Sequence, residues 1–512
     1  MIKHSRTFFA MRNALVTGLV TILNFPIQFI NRYYMVHYLG IVYLGLTSLF
    51  TNILSVLSLA DLGLGTSIVF LLYKPLSERN FKKIAVIMKL YRNIYYVIAI
   101  VIFLIGLGIL PFLKYLVGRN INYPHIYILF IIYLTGSATS YLFSYNQSLL
   151  YADQKNHIVA WTNLVVTYIM LTLQVITVLL FKNPLLYAFL FVFSSFVTNI
   201  IVTVFVNHIY HLRQYNNGVL NREEIYLLKK NVVGNMFLRI SGVIVTGTDN
   251  IFLSSFAGVV SVGLYSNYLT ITNVLQRIMT QVISAVTGSI GNFITQNKSL
   301  RSKRLFFNLQ FINFILVSMI SLGIYLLSND VITLWLGDKY TISKLNVFLI
   351  SMSFYFMNYR MIGWNFISVY GLARYMKIFS INEMIANVLF TLVFLCVFRL
   401  KLTGILLGTI VSTLLTVTWQ DPYVIFHHAF NSSIVEYMKK YFYNFFILIV
   451  EIICLEYMSN LLRALCSSTV LHFFLLSFFI VIVSILVPYL FYIKSFEVKY
   501  FNSILTKVLR RS

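Results

Sequence analysis

The sequence predicts an all-α polytopic membrane protein of about 14 spanning helices. These form two parallel six-helix repeats around a central cavity, with two extra C-terminal helices. Three observations predict it. Of 512 residues, 59% are hydrophobic and only 10% charged, where a soluble domain carries about 25% charged. Mean hydropathy is +0.83, and apolar runs of about 20 residues, the length that crosses a bilayer, recur along the chain. They lack period-2 alternation, so the spans are helices and not barrel strands. The third observation is an internal repeat, described below.

The spans are placed at roughly 13–33, 42–72, 93–113, 125–150, 158–181, 184–206, 232–256, 260–292, 305–328, 345–371, 379–399, 402–425, 441–458 and 469–492. Pro75, Pro111, Pro124, Pro184 and Pro422 are placed at span ends, where a missing N–H does least harm; Pro26 and Pro488 lie inside. The chain divides into an N-lobe (1–206, spans one to six), a cytoplasmic linker (207–231) and a C-lobe (232–428, spans seven to twelve). Residues 429–512 hold spans thirteen and fourteen and a basic cytoplasmic tail. With both termini cytoplasmic, 27 of the 39 Lys and Arg fall in cytoplasmic segments and 8 in outer loops, the asymmetry the positive-inside rule requires. The net charge of +25 is thereby a topology signal and an attraction to anionic lipid. Nucleic acid is not a predicted partner.

The cysteines Cys396, Cys454 and Cys466 are odd in number and form no disulfide framework. No Cys/His spacing resembles a metal site, and the pair His427–His428 reads as a loop end. No metal or organic cofactor is expected.

Two stretches repeat. GIVYLGLTS (40–48) matches GVVSVGLYS (258–266) at an offset of 218, so Gly40, Gly45 and Ser48 recur as Gly258, Gly263 and Ser266. Gly118 and Gly337 match at 219. Six spans separate the copies, so they run parallel, which implies a pseudo-two-fold axis along the membrane normal and a cavity between two lobes.

The eighth span carries Ser266, Thr270, Asn273, Arg277, Gln281 and Ser284 on one helical face. In the second span Ser48, Asn52 and Ser55 hold the matching register. Helix packing through small hydroxyl residues explains the serines and threonines. It does not explain an arginine, so this face is read as a water-filled cavity wall. Arg239, Arg277 and Arg360 fall in the inner half of their spans, whereas Arg32 lies near an outer end. A charge at the centre of a span costs roughly 2.5–3.5 kcal/mol on insertion scales. Asp61, at the inner depth, and Asp249, near the outer end of the seventh span, are candidate counter-charges or ion-coupling sites. Glu383 is placed in the first turn of its helix and set aside, and Glu451 receives no role.

The blocks HYLGIVYLGLTSLFTNILSVLSLADLGLGTSIVFLLYKPL (37–76), LLYADQK (149–155), TDNIFLSSFAGVVSVGLYSNY (248–268) and TGILLGTIVS (403–412) resemble bacterial polysaccharide flippases of the multidrug/oligosaccharidyl-lipid/polysaccharide exporter superfamily. The resemblance spans the first twelve helices. It implies alternating access and an undecaprenyl-pyrophosphate-linked oligosaccharide as substrate, moved across the bacterial cytoplasmic membrane for capsule or exopolysaccharide synthesis. It implies no enzyme activity. The pathway's polymerase and glycosyltransferases would be partners, beside membrane lipids. On this reading Arg239, Arg277, Arg360, Asn273, Gln281 and Asn52 bind substrate, because guanidinium groups hold pyrophosphate oxygens bidentately. Arg32, Asp249 and Asp61 gate the cavity or couple it to a proton or sodium gradient, the ion being open. Two rivals stand beside it. A cation-coupled multidrug exporter of the same fold would favour acids in its cavity. A membrane glycosyltransferase or polymerase would need acids on a sizeable outer loop, where only Asp330 and Asp338 are offered.

Overall fold

The computed structural model describes residues 6–61, 64–118, 123–215, 240–245, 247–296, 299–465 and 468–509. All regular structure among them is helical, as the hydropathy pattern predicts. Ten stretches of these residues are long and apolar enough to cross a membrane. One of them, Gly18–Leu57, joins the first predicted span to the start of the second. The chain forms two compact units, Met1–Ser266 and Asn267–Ser512.

In the first unit, α1 (Arg6–Tyr34) runs through a π-turn, Met35–Leu39, into α2 (Gly40–Leu57). Gly40 has φ +88°, a backbone conformation that glycine adopts without strain. A short 3-10 turn, Ser58–Asp61, and α3 (Leu64–Ser77) complete the second predicted span. Then follow α4 (Phe81–Ile109), α5 (Ile126–Ala152), α6 (Asn156–Phe181) and α7 (Pro184–Tyr210). Their boundaries have local causes. Asn80 caps α4 by accepting from the Lys83 N–H at 3.0 Å. Asn183 caps α7 through the N–H groups of Leu185 and Leu186, with Pro184 at the first helical position, where no N–H is needed. Helix α5 packs on α4 and α7, and α6 packs on α1 and α7.

Helix α8 (Val259–Gln296) begins in the first unit and continues into the second. The second unit adds α9 (Ser299–Trp335), α10 (Lys344–Tyr359), α11 (Met361–Val369), α12 (Met376–Leu392), α13 (Lys401–Leu415) and α14 (Val417–His428). It ends with α15 (Val435–Leu465), α16 (Thr469–Phe491) and α17 (Phe496–Leu509).

In the second unit, the tenth and twelfth predicted spans are each divided into two α-helices. The tenth divides into α10 and α11 at Arg360, where the carbonyl of Tyr359 accepts from Gln310 Nε2 at 2.9 Å and Asn313 Nδ2 at 3.1 Å. These buried amides satisfy a backbone group that lipid would leave bare. The twelfth breaks at Thr416 (φ −116°, ψ −85°) between α13 and α14. Pro422, predicted at a span end, therefore lies inside α14.

The extra helices dock on α9: α16 packs along it, and α15 packs on α16. Asp330 of α9 accepts from His472 Nδ1 at 3.0 Å and lies 3.7 Å from Arg463.

The repeat is visible in the backbone. Gly40 and Gly258 have φ +88° and +82°, and Gly118 and Gly337 have +103° and +108°. Residues matched in sequence take the same left-handed geometry.

Candidate functional site

Helix α8 carries the predicted polar face. Ser266 and Thr270 are buried, whereas Asn273, Arg277, Gln281 and Ser284 are exposed. The change falls within one turn. The face is therefore packed at the end near Val259 and exposed from Asn273 onward. Arg277 lies about 27 Å along the axis from Val259, and no ion pair holds its guanidinium among the described residues. Thr287, ten residues on, donates to Asn365 Oδ1 at 3.1 Å and ties α8 to α11. On α2, Asn52 is half-buried and donates to the carbonyl of Ser48 at 2.8 Å.

Arg360 is placed differently from Arg277. Its Nε donates to Asp421 Oδ2 at 2.7 Å and its Nη1 to Glu383 Oε1 at 2.8 Å. Side-chain exposure is 12% for Arg360, 12% for Glu383 and 1% for Asp421. The guanidinium also lies 5.3 Å from the Trp364 ring. Sequence reasoning grouped Arg360 with the substrate-binding arginines, but here it is committed to two carboxylates. Glu383, expected in a first turn, lies inside α12 because that helix starts at Met376. Asp421 is not among the acids singled out by sequence, because it falls near the end of the twelfth predicted span. Fully ionised, this cluster of one cation and two acids carries one surplus negative charge.

The expected gate residues are resolved in part. Arg32 Nη1 donates to Ser266 Oγ at 2.8 Å, and Ser266 in turn donates to the carbonyl of Gly263 at 2.8 Å. Its neighbour Asn31 accepts from the Tyr187 hydroxyl. Asp249 Oδ1 is buried and has no hydrogen-bond partner. So Arg32 and the repeat-mate of Ser48 meet, while Asp249 Oδ1 makes no hydrogen bond in this conformation. Arg239 lies outside the described residues, as does the side chain of Asp61.

A cationic cavity that sequence reasoning missed lies in the first unit. It has a volume of about 630 Å³ and is lined by Lys89, Arg92, Tyr145, Asn146 and Asn207, among others. Arg92 Nε is buried there without a partner. Both cations had been absorbed into the positive-inside count.

Asp330, on which the enzymatic rival leaned, belongs to a chain Ser459–His472–Asp330, with 3.4 Å between Ser459 Oγ and His472 Nε2. The order resembles a nucleophilic triad. Ser459 and His472 are 5% and 3% exposed, and the chain fastens α15 and α16 to α9.

Comparisons with known proteins bear on the family and the fold. A family model described as polysaccharide biosynthesis protein matches residues 10–287. No curated protein matches the sequence. Among solved structures, the lipid II flippase MurJ in an inward closed conformation superposes with a TM-score of 0.65 at 13% identity, over 94% of this chain and 99% of that one. An inward-facing multidrug resistance MATE family transporter of the MOP superfamily gives 0.62 at 15% identity, over 80% of this chain and 98% of that one. A MOP superfamily transporter from Pyrococcus furiosus, titled for the reverse polarity of its binding pocket, gives 0.53 at 13% identity, over 81% and 96%. At such identities the likeness is one of fold alone, that of a multi-pass helical membrane protein.

Proposed function

The chain belongs to the polysaccharide biosynthesis protein family, and from that premise we propose that it flips undecaprenyl-pyrophosphate-linked oligosaccharide across the cytoplasmic membrane by alternating access, for capsule or exopolysaccharide synthesis. The carrying observation is the exposed polar face of α8, where Arg277 stands between Asn273 and Gln281. The guanidinium takes pyrophosphate oxygens bidentately, and the flanking amides both donate and accept toward sugar hydroxyls. Arg239 and Asn52 are further candidates for substrate contacts. The fold shared with the lipid II flippase MurJ supports a lipid-linked substrate. The polymerase and glycosyltransferases of the same route are the proposed partners, and both termini are cytoplasmic.

The Arg360–Glu383–Asp421 cluster takes the coupling ion. A proton or a sodium ion cancels its surplus charge, and occupancy then biases the breaks in α10–α11 and α13–α14 that carry two of its members. Arg32 and Asp249 close the outer side in the opposite conformation.

The test is flipping in proteoliposomes, read as the appearance of lipid-linked oligosaccharide accessible to an external lectin. Arg277→Ala should lower substrate affinity roughly 10- to 100-fold, the worth of one lost charge-assisted contact, and Arg277→Lys should restore only part of it. Wild-type liposomes that expose no glycan, yet extrude cationic dyes, would return the protein to the multidrug class.

A further inference from the structure

The first unit contains a second cavity, remote in character from any arginine. Its volume is about 670 Å³, and it lies among α1, α2, α5, α6 and α7. That is the size of a small-molecule site, for which ~300–1,000 Å³ is usual. No acidic, basic or histidine side chain lines it, and most of its lining residues are Ser, Thr, Asn or Gln.

The sequence builds this lining deliberately. Ser137, Ser140, Ser144, Gln147 and Tyr151 step by three and four residues along α5, so one whole helical face is polar and points at the cavity. Helix α6 answers with Asn163, Thr167 and Gln174, and α7 with Ser195, Thr198 and Asn199. The central groups are held in one orientation. Tyr151 donates to Gln147 Oε1 at 3.2 Å, Gln147 Nε2 to Asn199 Oδ1 at 2.6 Å, and Asn199 Nδ2 to the carbonyl of Ser140 at 3.3 Å. Thr198 Oγ1 is buried without any partner.

Close packing does not account for this. Small hydroxyl residues can let helices approach closely, but here the helices leave a partly open cavity between them. A polar group buried without a hydrogen bond costs roughly 2–7 kcal/mol, so the occupant must be polar. It is not a pyrophosphate or a metal ion, because the lining holds neither cation nor carboxylate. Nor is it an acyl chain, which would leave hydroxyls and amides unpaired. A ligand dense in groups that both donate and accept matches the lining, and the rings of Tyr133 and Phe191 supply surfaces for the apolar faces of a pyranose.

We propose that this cavity is a saccharide subsite, which takes uncharged sugar residues of the substrate separately from the pyrophosphate. The inference rests on the flippase reading, and the experiment separates the two.

Purified full-length protein in lipid nanodiscs, free of sugar detergents, is titrated with maltose, lactose, mannobiose and chitobiose. Binding is read by saturation-transfer difference NMR at roughly 10 mM, above the ~1 mM dissociation constant that a few hydrogen bonds deliver. At least one disaccharide should show transfer to wild type. Ser144→Phe, which fills the cavity, should abolish it. The near-isosteric Thr198→Val should weaken binding at least about fivefold and keeps the test valid if the larger substitution does not fold. Gly108→Ala in α4, outside the lining of the cavity and with nothing within 4 Å of the added methyl, should bind these neutral sugars as wild type does. Absence of transfer from all four disaccharides, or equal transfer to wild type and to the folded cavity variants, overturns the subsite. If wild type still flips lipid-linked oligosaccharide in that event, the flippase reading survives alone; sugar binding without flipping would do the reverse.

Discussion

Gly45 and Gly263, 218 positions apart, make reciprocal contacts. A Cβ on Gly45 would collide with the carbonyl oxygen of Val259, and a Cβ on Gly263 would lie 2.5 Å from the carbonyl oxygen of Ile41. Val259 is the repeat-mate of Ile41, so each glycine of one copy faces the matched residue of the other. All four residues lie in the first unit. Such exchange is the signature of two-fold pairing, here within one chain, and the backbones of α2 and α8 approach as only bare Cα atoms permit.

Alanine at either glycine should therefore destabilise the protein by about 1–3 kcal/mol, the usual penalty of overpacking. Gly108→Ala in α4 is the control, since nothing lies within 4 Å of its added methyl and helix propensity favours alanine by up to ~1 kcal/mol. Thermal melting of the three variants decides it. Equal melting temperatures would mean that the crossing has slack.

For the Arg360 cluster, Arg360→Leu strands two buried carboxylates and should cost about 3–5 kcal/mol. The triple variant Arg360→Leu, Glu383→Gln, Asp421→Asn removes the stranded charges and should melt higher than the single one. A triple variant no more stable than Arg360→Leu would mean that packing, not charge, dominates there. If the cluster also takes the coupling ion, the triple variant should fold yet lose the dependence of flipping on a proton or sodium gradient.

Arg32→Asp and Asp249→Arg should each impair flipping, and the double swap should recover part of it, because opposite charges then meet again when the outer side closes. Ser266→Ala supplies the comparison: it removes the partner that Arg32 has here without touching the pair. A double variant no better than the worse single would rule out the gate.

Glu451 sits in α15 with 0% exposure, and neither carboxylate oxygen has a hydrogen-bond partner. Glu451→Met conserves bulk and removes an unsatisfied polar group, so it should raise stability by about 1–3 kcal/mol. A lower melting temperature would show that the carboxyl has a partner of its own in the membrane.

Much of the site was legible as spacing. The face from Ser266 to Ser284 follows from helical period alone, and the structure leaves its Arg277 exposed. The glycines flagged by the repeat take the shared positive φ. The same method misjudged Glu383, because an error of a few residues in the start of α12 moves an acid from the first turn to the interior. It passed over the serines of α5 because small hydroxyls on a spanning helix are as common in packed interfaces as in cavities.

The sequence by itself determined that this is a helical membrane protein, that its two halves repeat, and which helical faces are polar. Each of these is set by the local chain: hydropathy by runs of about 20 residues, facing by period, and positive φ by the absence of a Cβ. Only the tertiary structure decided what each polar face meets. Arg277 and Arg360 look alike in sequence, yet one is exposed and the other is held by acids 23 and 61 positions away. Whether a buried charge is neutralised depends on a partner within about 4 Å, and that distance is set by how remote helices pack.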